Sequence, residues 1–234
     1  MLAAMAIVLP AHASDPRMPG DVWFSLIPPK VDAAAIQVVR DELARHPKLF
    51  ELLKDPSDYS PKTKKAVAVV TSPEFTGVDA KYLEYKGGDL SKAERERVLA
   101  CKRSIDVAFL APVGSNAFVK AADGIVAGLA KRLGAVVYDG HTRDFLPASV
   151  FASRLSAWSA DVPDVQTEIT IHWYRDGNEA RLVTLGMSKF GLPDVLAVIP
   201  SGIPVGPQTG RLINFVAQHL VESTGLPASP LELD

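Results

Sequence analysis

Side chains able to do chemistry are most concentrated in the six residues Asp139 to Asp144. Asp139, His141, Arg143 and Asp144 bring two carboxylates, an imidazole and a guanidinium to the end of a predicted strand at 135–138. Strand ends in α/β units often carry active sites, and the D-x-H-x-x-D spacing offers oxygen and nitrogen ligands to a metal. Asp-Gly is also ordinary turn chemistry, and Asp144 can serve as a local cap. We therefore expect a structural turn here, with a metal or acid–base site as the alternative.

A second candidate is His172, on a predicted strand at 167–174. One side of this strand is apolar, with Ile169, Ile171 and Trp173. The other side is polar, with Glu168, Thr170, His172 and Tyr174. An imidazole between a hydroxyl and a phenol suits a general base. Strict alternation is equally typical of a half-buried sheet whose polar side faces water, and we favour that interpretation.

The third candidate is the loop that contains Lys189, Phe190 and Asp194. Gly191 suits a left-handed backbone, and Asp194 can accept hydrogen bonds from turn amides. Phe190 either folds into the core or forms an exposed contact, and burial is favoured because it stabilises a large apolar side chain. Lys189 is expected at the surface. These residues, with the loop 200–210, are the predicted binding contacts.

The commonest enzyme and cofactor motifs are missing from the sequence. It has no GxSxG, Walker, GxGxxG or HExxH pattern, and its one cysteine, Cys101, excludes a CxxC metal or redox site. We therefore predict no cofactor and no metal. Cys101 follows Val98 by three residues on a predicted helix, which predicts a buried, inert thiol.

The C-terminal half resembles a family of mostly exported bacterial proteins. The residues that carry the resemblance are Ile169 to Tyr174, Val183 to Met187, Lys189 to Asp194, Gly210 to Gln218, and Val137 to Asp139 with Thr142 and Arg143, a pattern of the form IHxY…VTLGMxKFGLPD…LINxxAQ. The resemblance covers roughly residues 100–220. It implies a fold and an exported location but no reaction, because the family has no established activity.

The N-terminal residues have the order of a secretory signal. An apolar run from Leu2 to Leu9 is broken by Pro10 and followed by Ala11-His12-Ala13, a small-x-small cleavage site. The run is shorter than the roughly 18 residues that span a bilayer, so we predict no stable membrane insertion after cleavage. No Lys or Arg precedes the run, and a buried N-terminal helix or strand is the alternative. The predicted organisation is a signal peptide at 1–13 and a single α+β domain at 14–234.

Composition limits the class of partner. The net charge is −2 with 47% hydrophobic residues, typical of a globular core and without the basic excess of a nucleic-acid-binding protein. The predicted partners are an envelope protein or a small ligand.

The apolar patterns predict an α+β fold with helices packed on a mixed sheet. Predicted elements of the N-terminal part are strands at 22–27, 66–71, 82–85 and 105–109 and helices at 32–46 and 91–102. This βαββαβ order is that of a ferredoxin-like unit. Beyond it we expect helices at 116–133, from 147 and at 209–223, a hairpin at 167–187 and a strand at 194–199.

Two functions remain open from the sequence. The first is a non-catalytic envelope protein that binds a ligand or partner, with an exposed apolar rim at Phe190 and Leu192. The second is a hydrolase that uses Asp139, His141, Asp144 or His172, which requires that these side chains converge in a concave site.

Overall fold

The computed structural model describes residues 6–8, 20–60, 65–112 and 114–223, which form ten strands and six α-helices. The strands are β1 (Ala6–Val8), β2 (Gly20–Ile27), β3 (Glu51–Leu53), β4 (Val67–Thr71), β5 (Ile105–Ala111), β6 (Val136–Asp139), β7 (Asp144–Leu146), β8 (Thr170–Asp176), β9 (Glu179–Leu185) and β10 (Leu196–Ile199). The helices are α1 (Ala33–Ala44), α2 (Ala80–Lys86), α3 (Lys92–Ala100), α4 (Asn116–Leu133), α5 (Ala148–Ser156) and α6 (Pro207–Glu222). The predicted α+β class with a mixed sheet is confirmed.

The main sheet has six strands in the order β3-β4-β5-β2-β6-β7. Its central strand, β2, pairs antiparallel with both β5 and β6, and among the described strands only β3 and β4 pair in parallel. Because side chains alternate along a strand, Val22, Phe24 and Leu26 share one face, whereas Trp23 and Ser25 lie on the other. The two faces of β2 therefore carry different chemistry.

The apolar face of this sheet is covered mainly by α1, α4 and α5, which form the principal core with it. Helix α4 has the predicted bounds because its ends are set locally. The Ser115 side chain accepts from the amide of Phe118, and Gly134 ends the helix in the left-handed region at φ 59°. Lys131 and Arg132 in the last turn favour its negative end.

The other face of the sheet is only partly covered, by α2, α3 and their connections. The strand predicted at 82–85 is wrong, because Tyr82 to Tyr85 lie within α2. Asp79 caps that helix by accepting from the amide of Tyr82 at 2.7 Å, and this cap outweighs the strand preference of tyrosine. The N-terminal part is therefore β-α-β-β-α-α-β rather than βαββαβ.

A second, antiparallel sheet has the order β1-β10-β9-β8 and packs against α6 through Leu182, Ala197, Ile213 and Val216. Residues 6–8 pair with β10, and the predicted cleavage bond between Ala13 and Ser14 lies outside the described residues. In the described ranges we find no helix that is long and apolar enough to span a membrane.

Candidate functional site

Asp139 lies at the end of β6 and accepts four hydrogen bonds. Its Oδ1 accepts from the amides of His141 at 3.0 Å and Thr142 at 3.3 Å, which shapes the turn that follows. Its Oδ2 accepts from Arg154 at 2.6 Å and from Lys189 Nζ at 2.7 Å. Burial alone would raise the pKa of Asp139, but the charges of Lys189 and Arg154 outweigh it and hold the pKa well below its usual range. The two cations thus hold Asp139 in its charged form.

Lys189 is fully buried, which corrects the expectation that it lies at the surface. It sits in the 3-10 turn Met187–Phe190, which directs its ammonium inward. Besides Asp139, Nζ donates to the carbonyl of Glu168 at 3.0 Å and lies 3.6 Å from the Glu168 carboxylate. The desolvation cost of a buried ammonium must be offset by nearby acceptors and opposite charges, and Asp139 and Glu168 supply both to Lys189.

Two further acidic side chains, Glu168 and Asp123, are buried near Lys189 and Asp139. The alternation places Glu168 on a solvated strand face, but β8 begins at Thr170 and the Glu168 side chain is buried, accepting from the Trp158 indole at 3.2 Å. Asp123 on α4 is also fully buried, and neither of its carboxyl oxygens has a hydrogen-bond partner among the described residues. Burial, followed by the charge of Glu168, raises the pKa of Asp123 well above its usual range. Both effects favour the protonated form of Asp123.

These five residues form what we call the buried charge cluster, namely Asp123, Asp139, Arg154, Glu168 and Lys189. Three carboxyl groups, one guanidinium and one ammonium are thus collected in the interior of the fold. Buried ions require such pairing. The cluster joins β6, α4 and α5 to the connection before β8 and to the turn after β9, and its members are buried.

His141 lies beside this cluster and contacts Ser188, with 2.9 Å between Nδ1 and Oγ. Both residues are half-buried. Burial lowers the pKa of His141, which favours the neutral imidazole. A serine hydroxyl next to a neutral imidazole is the pair that nucleophilic catalysis uses, usually with a third group that orients the ring. Here Nε2 is buried without a partner among the described residues, so the ring has no orienting group on that side.

The remaining predicted catalytic residues do not converge with this pair. Asp144 binds Lys86 Nζ at 3.0 Å and Thr170 Oγ1 at 2.6 Å, and thereby ties β7 to α2 and β8. His172 lies on the second sheet, with its ring 6.0 Å from that of Tyr174. Within the described part of the chain, no group of three or more His, Cys, Asp or Glu residues is placed to hold a metal ion.

The predicted binding loop is held within the fold. Phe190 is 1% exposed and belongs to the principal core, so it does not form an exposed rim. Asp194 Oδ1 accepts from Thr184 Oγ1 at 3.0 Å and from the Met187 amide at 3.2 Å. Gly191 takes the expected left-handed backbone at φ 72°.

A cleft of about 490 Å³ lies on the polar face of the main sheet, and we call it the outer cleft. Its floor is a row of side chains on adjacent strands, because Ser25 is paired in register with Asp106 on one side and with Tyr138 on the other. Trp23, Tyr82 and the connection 73–79 also line the cleft. The sequence patterns did not predict this site. The signal that could have indicated it is the presence of polar residues on the face of the central strand β2 that points away from the core.

The aromatic wall of the outer cleft is fixed from below by the Asp139 turn. The Gly140 amide donates to the Trp23 carbonyl at 3.0 Å, and a Cβ at Gly140 would lie 1.9 Å from the Trp23 ring, so only glycine fits there. The rings of Trp23 and Tyr138 meet edge to face at 5.9 Å. Burial raises the pKa of Tyr138 to about 12. The buried charge cluster and the outer cleft thus lie on opposite faces of one strand end.

Ser25 is a nearly buried polar residue of the outer cleft. It is only 3% exposed, and its side chain lies on the cleft floor between those of Asp106 and Tyr138. A hydroxyl in this position can donate a hydrogen bond to a ligand or accept one from it.

Cys101 lies outside both sites. It is half-buried rather than buried, because α3 ends at Ala100 and leaves Cys101 as its C-cap. The thiol lines a separate cleft of about 410 Å³.

Comparisons with known proteins give no match to a family model, a curated protein or a solved structure. The resemblance to exported bacterial proteins therefore stays a prediction.

Proposed function

We propose that this chain is a non-catalytic binding protein of the bacterial envelope that takes a small ligand in the outer cleft. The observation that carries the proposal is the row of Asp106, Ser25 and Tyr138 side chains on the floor of a cleft that is also lined by aromatic residues. Apolar surface with a few fixed polar groups is typical of a small-molecule site, and the volume falls in the usual range of roughly 300–1,000 Å³. By contrast, most of the polar residues that the sequence offers for catalysis are occupied in structural contacts.

The envelope location is part of the same proposal and rests on the Leu2–Leu9 run and the Ala11-His12-Ala13 site. We propose a periplasmic or secreted protein that starts at Ser14, in which the second sheet keeps β10, β9 and β8 and loses the edge strand β1. The intact mass of the protein recovered from an envelope fraction tests this. A mature chain that retains Met1 would contradict it.

Ligand binding is tested best through the three tryptophans, because each gives its own indole N–H signal in a ¹H–¹⁵N spectrum. Trp23 lines the outer cleft, whereas Trp158 contacts Glu168 and Trp173 lies on the second sheet. We expect at least one probe from a panel of neutral sugars, organic cations and small carboxylates to shift the Trp23 signal and leave the other two unmoved. If no probe moves Trp23, or if all three signals move together, the proposed site is wrong.

A hydrolase is the second candidate, and the 2.9 Å contact between Ser188 and His141 favours it. A fluorophosphonate reagent distinguishes it from the binding proposal, because such reagents label a serine only when a base activates it. Under the proposal, wild-type protein and Ser188→Ala react equally little. Labelling of the wild type that disappears in Ser188→Ala would favour the hydrolase.

A further inference from the structure

We infer that the ligand of the outer cleft is a small organic cation with an ammonium head group. This inference rests on the proposed function, since it names the chemical class of ligand for the same cleft. It follows from the charge, the aromatic surface and the hydrogen-bonding groups of the lining residues.

The charge of the lining is negative. Its carboxylates are Glu74, Asp79 and Asp106, and the described residues that line the cleft include no Lys, Arg or His. Two of these carboxylates are already engaged or shared. Asp79 caps α2, and Glu74 also lines the neighbouring cleft, where Lys102 and Arg103 lie. Asp106 therefore supplies the charge that acts on a ligand.

Asp106 is placed for this role on the cleft floor. Its Oδ1 accepts from Ser104 Oγ at 2.7 Å, which orients the carboxylate, and Oδ2 has no partner in the described part of the chain. In register beside it on β2 is Ser25, whose hydroxyl also lies on the cleft floor. An ammonium group beside Asp106 would be neutralised by its carboxylate, and Ser25 can hydrogen-bond a hydroxyl or N–H group carried by the same ligand. An anionic ligand would meet a carboxylate with no compensating cation.

The aromatic residues suit the same ligand class. Trp23, Phe75, Tyr82 and Tyr138 all line the cleft, and the rings of Trp23 and Tyr138 contact each other. The faces of aromatic rings attract cations within about 6 Å, and tryptophan is the strongest partner. Methyl or methylene groups next to an ammonium also bury apolar surface against these rings, which favours binding. The lining thus favours an alkylated amine over a bare metal cation, because aromatic faces supply no ligand atoms to a metal ion.

The test titrates ¹⁵N-labelled protein with choline and with its neutral isostere, 3,3-dimethylbutan-1-ol, which has the same shape and no charge. We expect choline to shift the Trp23 indole signal and the neutral isostere to bind at least about tenfold more weakly, because it lacks the attraction to Asp106 and the rings. Asp106→Asn should weaken choline binding by a similar factor. Asp161→Asn, an exposed carboxylate in a surface ion pair, serves as the matched control and should change nothing.

The outcomes separate this inference from the function on which it rests. Equal binding of choline and the isostere overturns the cation class. A neutral sugar or a carboxylate that shifts Trp23 when choline does not also overturns it, while the proposed function stands. If no probe shifts Trp23, both fail. The comparison of the two isosteres uses wild-type protein, so it remains decisive even if Asp106→Asn does not fold.

Discussion

The ammonium of Lys189 lies 2.7 Å from the carboxylate of Asp139, fifty residues away in the chain, and neither side chain is exposed. This pair connects the 3-10 turn after β9 to the end of β6. The pair explains why Lys189, which the sequence predicts as a binding contact, and Asp139, which it predicts as a catalytic candidate, lie in the interior of the fold. It also positions the Asp139–Asp144 turn whose Gly140 supports Trp23 in the outer cleft.

Lys189→Met should destabilise the protein strongly. It leaves Asp139 and Glu168 buried with one cation fewer, and breaking a buried pair by removing one partner costs about 3–5 kcal/mol. Urea unfolding gives the free-energy difference. Lys92→Met is the matched control, because the Lys92 side chain is 91% exposed and the change should stay within about 0.5 kcal/mol. If the two variants unfold alike, Lys189 does not anchor Asp139.

Local sequence signals predicted the helices and strands better than they predicted the residues of the candidate sites. Helix α4 is predicted correctly because Ser115 and Gly134 set its ends within the helix itself. The burial of Lys189 depends on partners 21 and 50 residues away, which no local pattern reveals. The outer cleft depends on strand order, because Asp106, Ser25 and Tyr138 meet only when β2 lies between β5 and β6.

Gly191→Ala should destabilise the fold by about 1 kcal/mol or more, because φ at this residue is 72°, where a Cβ is strained. Gly128→Ala is the matched control. Gly128 lies in α4, and an alanine methyl group there would have no atom within 4 Å, so the same substitution should stabilise by about 0.5–1 kcal/mol. Thermal unfolding of the two variants measures the opposite signs. Shifts of the same sign would contradict the backbone argument.

Asp123→Asn should alter how stability depends on pH. The pKa of Asp123 is raised in the folded state, so its contribution is present below the unfolded pKa of about 3.9 and is lost as pH rises through the folded value. Asparagine has nearly the same shape as a protonated aspartic acid and does not titrate. The variant should therefore gain stability relative to wild type as pH rises from about 4, by up to about 1.4 kcal/mol per pH unit.

The measurement is urea unfolding of both proteins at several pH values, with Asp161→Asn as the control for an exposed carboxylate. A constant difference between Asp123→Asn and wild type at all pH values would show that the pKa of Asp123 is not raised in the folded protein. The titration of Asp139 changes stability in the opposite direction. Its pKa is lowered in the folded state, so the stability that it contributes is lost as pH falls.

Cys101 should react with a thiol reagent in the folded protein, but more slowly than a free cysteine. The thiol is half-buried, and burial raises its pKa, which reduces the thiolate fraction at neutral pH. Mass spectrometry of timed samples with iodoacetamide, with and without urea, gives the two rates. Equal rates would contradict the raised pKa, and labelling only in urea would instead support the fully buried thiol expected from sequence.

The central claim is that the outer cleft, rather than the Ser188–His141 pair, is the functional site. The most direct test compares the affinity of wild type, Ser25→Ala and Ser188→Ala for the probe that shifts the Trp23 indole signal. We predict that Ser25→Ala weakens binding by roughly fivefold to tenfold, the loss of about one hydrogen bond. Ser188→Ala should bind as wild type does. Unchanged binding in Ser25→Ala together with lost binding in Ser188→Ala would contradict the account.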